Sequence, residues 1–178
     1  QAGSETTNGR GGESRDAANR EALASAVGAL KEARSEEGAR LAAVLEDQLA
    51  AISRLVESAA GIAAEAPELL KTRIRDQIAL LLDNSELDPD RLHQEAVIAA
   101  TRADVREELD RLASHVAGAR QLIDSGDAVG RRLEFLAQEF NREANTLCSK
   151  AFDRRLSAVG VELKAVIDQL REQVQNLE

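Results

Sequence analysis

Residues 130–150 read GRRLEFLAQEFNREANTLCSK, and this stretch decides the fold. Its apolar residues recur at the three- and four-residue spacing of one helix face, at Leu133, Leu136, Ala137, Phe140, Ala144 and Leu147. The spacing predicts a helix with one buried face. The same stretch is crowded with amides, carboxylates and guanidiniums, groups that hold metal ions and phosphates, at Gln138, Glu139, Asn141, Arg142, Glu143 and Asn145.

The composition extends this prediction to the whole chain. Hydrophobic residues make up 43% of the 178 residues, aromatic residues only 2%, and there are two prolines. Ala, Leu, Glu and Arg dominate, and all four favour helix. We therefore predict an all-α protein, an elongated helical hairpin or bundle with one long helix like that of a coiled coil.

The pattern divides the chain into three parts. Residues 1–18, rich in Gly, Ser, Thr and Asn, are predicted to be a disordered linker. Residues 19–86 are predicted to form a long helical arm and a second helix, with Pro67 between them. Residues 87–178 are predicted to form a helical domain, in which Pro89 and Asp104 mark helix starts. Because the chain begins with Gln and contains no Met, we expect it to be a piece of a longer protein.

Charge and motifs exclude several classes of function. The net charge is −9, which opposes nucleic-acid binding, but residues 102–155 carry ten basic and ten acidic residues. A single Cys excludes an intrachain disulfide and favours the cell interior, and no apolar run is long enough to cross a membrane. The sequence has no Gly-rich phosphate loop, paired CxxC, HExxH or GxSxG motif. With neither Tyr nor Trp, base stacking on an aromatic platform is nearly excluded.

Helical geometry places polar residues along the edges of the predicted core. Arg132, Glu139 and Glu143 follow one flank of the stripe in 130–150, and the amides follow the other flank. On neighbouring helices the edge carries Glu95, Glu108, Arg111 and His115. If these edges converge, they form a Glu-rich site with one His, suited to magnesium or manganese, beside cations that can hold the backbone of a substrate that contains phosphate.

Each of these features also has an ordinary structural interpretation. Glu139 and Glu143 at i, i+4 are common on solvated helices, and Glu108 with Arg111 is an ordinary surface pair. A lone histidine such as His115 is most often a surface or interface residue. The amide cluster more often forms hydrogen bonds between helices than a ligand site, and Cys148 is expected to be a small buried residue.

Three stretches resemble the C-terminal half of the YicC/YloC family of bacterial proteins. They are RLHQEAVIAATRADVREELDRLASHV (91–116), GRRLEFLAQEFNREANTLCSKA (130–151) and VELKAVIDQLREQVQNLE (161–178). The resemblance is strong over about 87–178 and looser along the helix predicted from Asn19. Two departures stand out: the family's N-terminal domain is absent, and Ala151 stands where members often have a second Ser after the Lys.

The resemblance implies a metal-dependent endoribonuclease that acts on single-stranded RNA and forms homo-oligomers. Other RNA-degradation proteins are further candidate partners, and the single Cys favours a cytoplasmic location. Together with the helical geometry, the resemblance gives catalytic candidates at Glu139, Glu143 and His115. Metal-ligand candidates are Glu95, Glu108, His115, Glu139 and Glu143. RNA-binding candidates are Arg111, Arg131, Arg132, Asn141, Arg142, Asn145 and Lys150. The alternatives are a non-catalytic RNA-binding adaptor and a purely structural helical oligomer, and dependence on metal separates the enzyme from both.

Overall fold

The computed structural model describes residues 7–81, 89–125 and 129–175, and these form α-helices without a strand. The all-α prediction is confirmed, whereas oligomerisation and coiled-coil packing stay predictions. Within the described residues, no helix combines the length and apolar character needed to cross a membrane. The helices are α1 (Thr7–Ala64), α2 (Ala66–Leu81), α3 (Pro89–Arg102), α4 (Arg106–Ser125), α5 (Gly130–Lys150) and α6 (Arg154–Gln175).

Helix α1 differs most from the prediction. It was expected from about Asn19 and begins at Thr7, so the part of the predicted linker that the structure describes is helical. Residues 7–18 contain no apolar residue larger than Ala, so the sequence has no apolar stripe to indicate a helix there, and every residue from 15 to 40 is exposed. The chain divides into two compact units, residues 1–43 and 44–178, and the buried core lies in the second.

Most helix boundaries follow the local signals. Pro67 is the second residue of α2 and Pro89 the first of α3, positions where the missing proline N–H costs nothing. The backbone N–H of Arg106 donates to Asp104 Oδ1 at 3.0 Å, so Asp104 caps the start of α4 as predicted. The N-cap predicted at Asp88 lies outside the described residues.

The core of the second unit is built by α1 from residue 44 onward together with α4, α5 and α6. Helix α5 contributes the apolar stripe that the sequence predicted, in which Ala137, Phe140, Ala144 and Leu147 are fully buried. Helix α6 lies close to α5 at Gly160, where a Cβ atom would lie 2.6 Å from Cys148 Sγ. A side chain at this position would require a neighbouring group to shift, so Gly160 permits the close approach of the two helices. Cys148 itself is half-buried.

Candidate metal centre

Helices α4 and α5 lie antiparallel, and their contacts place the candidate residues. The contacts run in opposite directions along the two helices: Glu108 with Lys150, Arg111 with Glu143, His115 with Phe140, and Gly118 with Leu136. Apolar residues of both helices are buried beneath this line, among them Leu112 and Leu147. The polar residues that flank the two apolar stripes therefore meet along one seam, which we call the α4–α5 seam.

Three of the predicted residues converge in the middle of the α4–α5 seam. One ligand atom each from His115, Glu139 and Glu143 lies within 4.8 Å of the others. Glu143 is buried and only 2% exposed, while His115 and Glu139 are half-buried. Burying a carboxylate is costly without a cation, so the position of Glu143 calls for a positive charge nearby. We call these three residues the triad.

The half-buried imidazole of His115 packs against an aromatic side chain of α5. Its ring meets Phe140 edge to face, with ring centroids 5.7 Å apart and an angle of 79° between the planes. Its Nε2 is buried and has no hydrogen-bond partner among the residues that the structure describes. A buried ring nitrogen without a partner is unfavourable unless something else binds it, and a metal ion is one such partner.

Arg111 supplies the positive charge that lies next to the Glu143 carboxylate in this structure. Its Nη1 donates to Glu143 Oε1 at 3.3 Å, and its Nη2 is paired with Glu107. The hydrogen bond to Glu143, followed by the charge of Glu107, raises the pKa of Arg111 above its ordinary value. The guanidinium is thus always charged and stands where a cation is needed.

A second ionic contact lies two turns along α4 from His115. Lys150 Nζ donates to Glu108 Oε1 at 2.8 Å and to the carbonyl oxygen of Asp104 at 3.0 Å. Glu108 is 5% exposed, and its Oε2 is buried with no hydrogen-bond partner among the described residues. Glu108 and Lys150, predicted as a metal ligand and an RNA contact, therefore meet each other and not the triad.

Other candidates lie elsewhere. Glu95 is exposed on α3 and is not part of the triad. Asn145 Nδ2 donates to Asn141 Oδ1 at 2.7 Å, and Asn141 Nδ2 donates to Asp168 Oδ1 of α6 at 3.2 Å. The amides thus link α5 to α6, as the structural interpretation anticipated. Gln138 is exposed, and the exposed Arg142 forms an ion pair in which its Nη1 lies 3.6 Å from Glu139 Oε2.

Comparison with known proteins gives the family. Residues 59–178 match the family model described as endoribonuclease YicC-like, C-terminal. The chain belongs to the YicC-like family. It is 41% identical over 147 residues to the probable endoribonuclease YicC of Haemophilus influenzae, and 35% identical over 159 residues to that of Clostridioides difficile. These alignments cover 82% and 89% of this chain but 50% and 54% of the relatives, so the chain spans about half their length.

The match places the triad within the YicC-like region, since α4 and α5 both lie inside residues 59–178. Two features of this YicC-like seam were missed by sequence reasoning. One is the link between Arg111 and Glu143, which depends on how α4 is placed against α5 and leaves no trace in spacing. The other is Phe135, whose side chain is 61% exposed. Its position outside the apolar stripe of α5 could have indicated this exposure from the sequence.

Proposed function

We propose that this chain carries the metal centre of an endoribonuclease that hydrolyses phosphodiester bonds in single-stranded RNA. The observation that carries the proposal is the triad, in which His115 lies beside the buried carboxylate of Glu143 and has a buried Nε2 without a hydrogen-bond partner among the described residues. The family and the names of two relatives, each a probable endoribonuclease, supply the reaction class.

The donor set fits a divalent cation. Two carboxylates and one imidazole offer hard oxygen ligands and one nitrogen, a mixture that favours manganese over magnesium. When bound, such an ion polarises a phosphate oxygen and makes water more acidic. His115 and Glu143 would hold the ion from inside the seam. Glu139, whose side chain is 25% exposed, lies at the open edge.

The residues of the chain can supply the remaining parts of hydrolysis. Glu139 at the solvent side can serve as a ligand or accept the proton of the attacking water. Arg111 has a side chain that is 47% exposed, so it can turn from Glu143 toward a phosphate once another cation neutralises that carboxylate. Arg142, 67% exposed, offers a second guanidinium on the rim.

The test is cleavage of a labelled single-stranded RNA by the full-length natural protein, with and without manganese. Glu139→Gln and His115→Ala should each lower the cleavage rate at least ~100-fold with folding retained. Glu95→Gln is the matched control, because Glu95 is an exposed carboxylate outside the triad. Its cleavage rate should equal that of the wild type.

The outcomes separate the proposal from its alternatives. Cleavage that is unchanged in both triad variants would contradict it. RNA binding that survives chelation, without cleavage, would favour an adaptor, and absence of binding would favour a structural oligomer. The homo-oligomer implied by the resemblance is checked by light scattering on the same samples.

A further inference from the structure

A cleft opens at one end of the α4–α5 seam, next to the triad. It is an open cleft with a volume of about 540 Å³. Helix α4 lines it with Gly118 and Leu122, and α5 lines it with Arg131, Arg132, Phe135 and Leu136. Among the residues that the structure describes, the lining contains no carboxylate, and beside the apolar side chains and the two arginines it includes Gln121 and Ser125.

Phe135 is the aromatic residue of this cleft. Its 61% exposure contrasts with Phe140, which is fully buried, and with Phe152, which is half-buried. An exposed phenyl ring presents a flat apolar face on which any nucleobase can stack. The chain lacks Tyr and Trp, yet it does hold one aromatic face toward solvent.

Arg131 and Arg132 add charge to the same cleft. Both are exposed, and neither has an ion pair with a carboxylate in the ranges that the structure describes. Elsewhere in the second unit, cations with a carboxylate partner include Arg111, Arg120, Arg142, Lys150 and Arg155. Two guanidiniums without such a partner beside an aromatic face are suited to the phosphates of a nucleotide.

The cleft continues the line of the triad. Gly118 follows His115 by three residues on α4, and Phe135 precedes Glu139 by four on α5. Because the helices are antiparallel, both steps lead in the same direction along the seam, over one turn of about 5 Å. A strand of RNA that passes through the cleft would therefore bring its next phosphate toward the triad. This continuity favours RNA over a protein as the occupant.

We propose that this cleft binds one unpaired nucleotide of the RNA, with its base stacked on Phe135 and its phosphates held by Arg131 and Arg132. The inference rests on the proposed function, because it takes single-stranded RNA as the substrate. The stacked base would position the adjoining phosphodiester at the triad. Stacking of this kind tolerates any base, so the cleft would select for single strands and not for sequence.

Fluorescence anisotropy with labelled oligouridylate and oligoadenylate, in chelator, measures this binding without cleavage. Phe135→Ala should weaken the binding of both about tenfold, and Phe135→Trp should retain it. The matched control is Val161→Ala, because Val161 is 66% exposed on α6 and does not line the cleft. Its affinity should match that of the wild type.

Salt dependence tests the arginines separately. In a variant with Arg131→Gln and Arg132→Gln, the slope of log affinity against log salt should become shallower by about 1.4, the value for two contacts to a single strand. An unchanged slope would overturn their assignment to phosphates. The slope of Phe135→Ala should equal that of the wild type, since no charge is lost.

The remaining outcomes keep this inference distinct from the proposed function. Unchanged affinity of Phe135→Ala overturns the cleft, even if the wild type cleaves RNA with manganese. Binding that depends on Phe135 supports the cleft, even if no cleavage occurs and the nuclease proposal fails. If Phe135→Ala instead dissociates an oligomer in light scattering and leaves RNA affinity unchanged, the cleft is an interface between copies and the inference is wrong.

Discussion

Helix α5 packs against two neighbours in two different ways. Toward α6 it packs closely, with Cys148 against Gly160 and the fully buried Leu163 and Ile167 in the same core. Toward α4 it places Glu143 and Lys150 against charged partners. Close apolar packing stabilises a fold directly, whereas buried ion pairs often contribute little because desolvation offsets their attraction. The contact between α5 and α6, which we call the α5–α6 seam, therefore stabilises the fold, whereas the ion pairs of the α4–α5 seam are expected to add little stability and fit the function proposed above.

The largest expected effect separates function from stability in the α4–α5 seam. In a variant with Arg111→Met and Glu143→Leu, an ion pair is replaced by apolar side chains, so the free energy of unfolding should change by less than about 1 kcal/mol. Manganese affinity should fall at least ~100-fold, because a buried ligand is lost. Chemical denaturation and calorimetric titration measure the two quantities.

Large destabilisation of that double variant would contradict this contrast and make the α4–α5 seam structural. A variant with only Arg111→Met keeps Glu143 and serves as the control. It should bind manganese at least as tightly as the wild type, because a competing cation is removed from Glu143.

The next effect concerns the Lys150 contact. Lys150→Met leaves the Glu108 carboxylate, 5% exposed, without its cation, which should lower the free energy of unfolding by about 2–3 kcal/mol. Adding Glu108→Leu removes the unpaired charge and should recover most of the loss. If the second change gives no recovery, the lysine stabilises through its bond to the carbonyl of Asp104 and not through the ion pair.

A smaller effect compares glycines in the two seams. A Cβ at Gly160 would meet Cys148 Sγ at 2.6 Å, whereas a Cβ at Gly118 would meet only Leu136 Cδ1 at an ordinary 3.8 Å. Gly160→Ala should lower the free energy of unfolding by about 1–2 kcal/mol through overpacking. Gly118→Ala should leave it unchanged or raise it by up to ~1 kcal/mol through helix propensity.

Thermal denaturation of both glycine variants checks this pair of predictions. Cys148→Ala in the Gly160→Ala background should relieve part of the overpacking, because the sulfur is the nearest atom. Equal stability of the two single variants would show that the α5–α6 seam yields as readily as the α4–α5 seam.

The smallest expected effect is a pH-dependent change in stability at Asp153, which lies between the end of α5 and the start of α6. Asp153 accepts hydrogen bonds from the side chain and backbone N–H of Arg155, which hold the pKa of its carboxyl below the ordinary value. Because the folded pKa is the lower one, the stabilisation is complete above the unfolded pKa of about 3.9 and is lost as pH falls through the folded pKa.

Asp153→Asn keeps a capping side chain and removes the charge. Its melting temperature should therefore lie slightly below that of the wild type at about pH 7, and the gap should narrow as the pH falls below about 3.9. A gap that stays the same over this range of pH would assign the effect to hydrogen-bond geometry alone. The pKa of Arg155, raised by the same contact and by Glu65, keeps its guanidinium charged throughout.

The sequence predicted those parts of the molecule that depend on local spacing. The helical period identified the buried face of α5, and the prolines and Asp104 identified helix starts, because these signals act within a few residues. The same period placed Glu139 and Glu143 beside the stripe, and His115 beside that of α4. The structure brings these three together because the seam joins the two flanks.

What the sequence could not give depends on pairing between helices. The pairs Glu108–Lys150 and Arg111–Glu143 follow from the register of α4 against α5, and their members lie 42 and 32 residues apart, too far for local spacing to encode. Glu95 had a similar position beside apolar residues but belongs to α3, which the structure does not bring to the triad. Sequence spacing shows on which edge of its own helix a residue lies, but it does not show which helix packs against that edge.

The contact between Gly160 and Cys148 has a practical consequence. Cys148 is the single cysteine in the chain, and its sulfur lies against the backbone of α6. Because Cys148 is half-buried, a bulky thiol reagent should attach there faster when α5 and α6 separate, so its reaction rate would rise with such openings. The natural cysteine can thereby report whether manganese or RNA loosens or tightens the contact between α5 and α6. No cysteine needs to be introduced for this measurement.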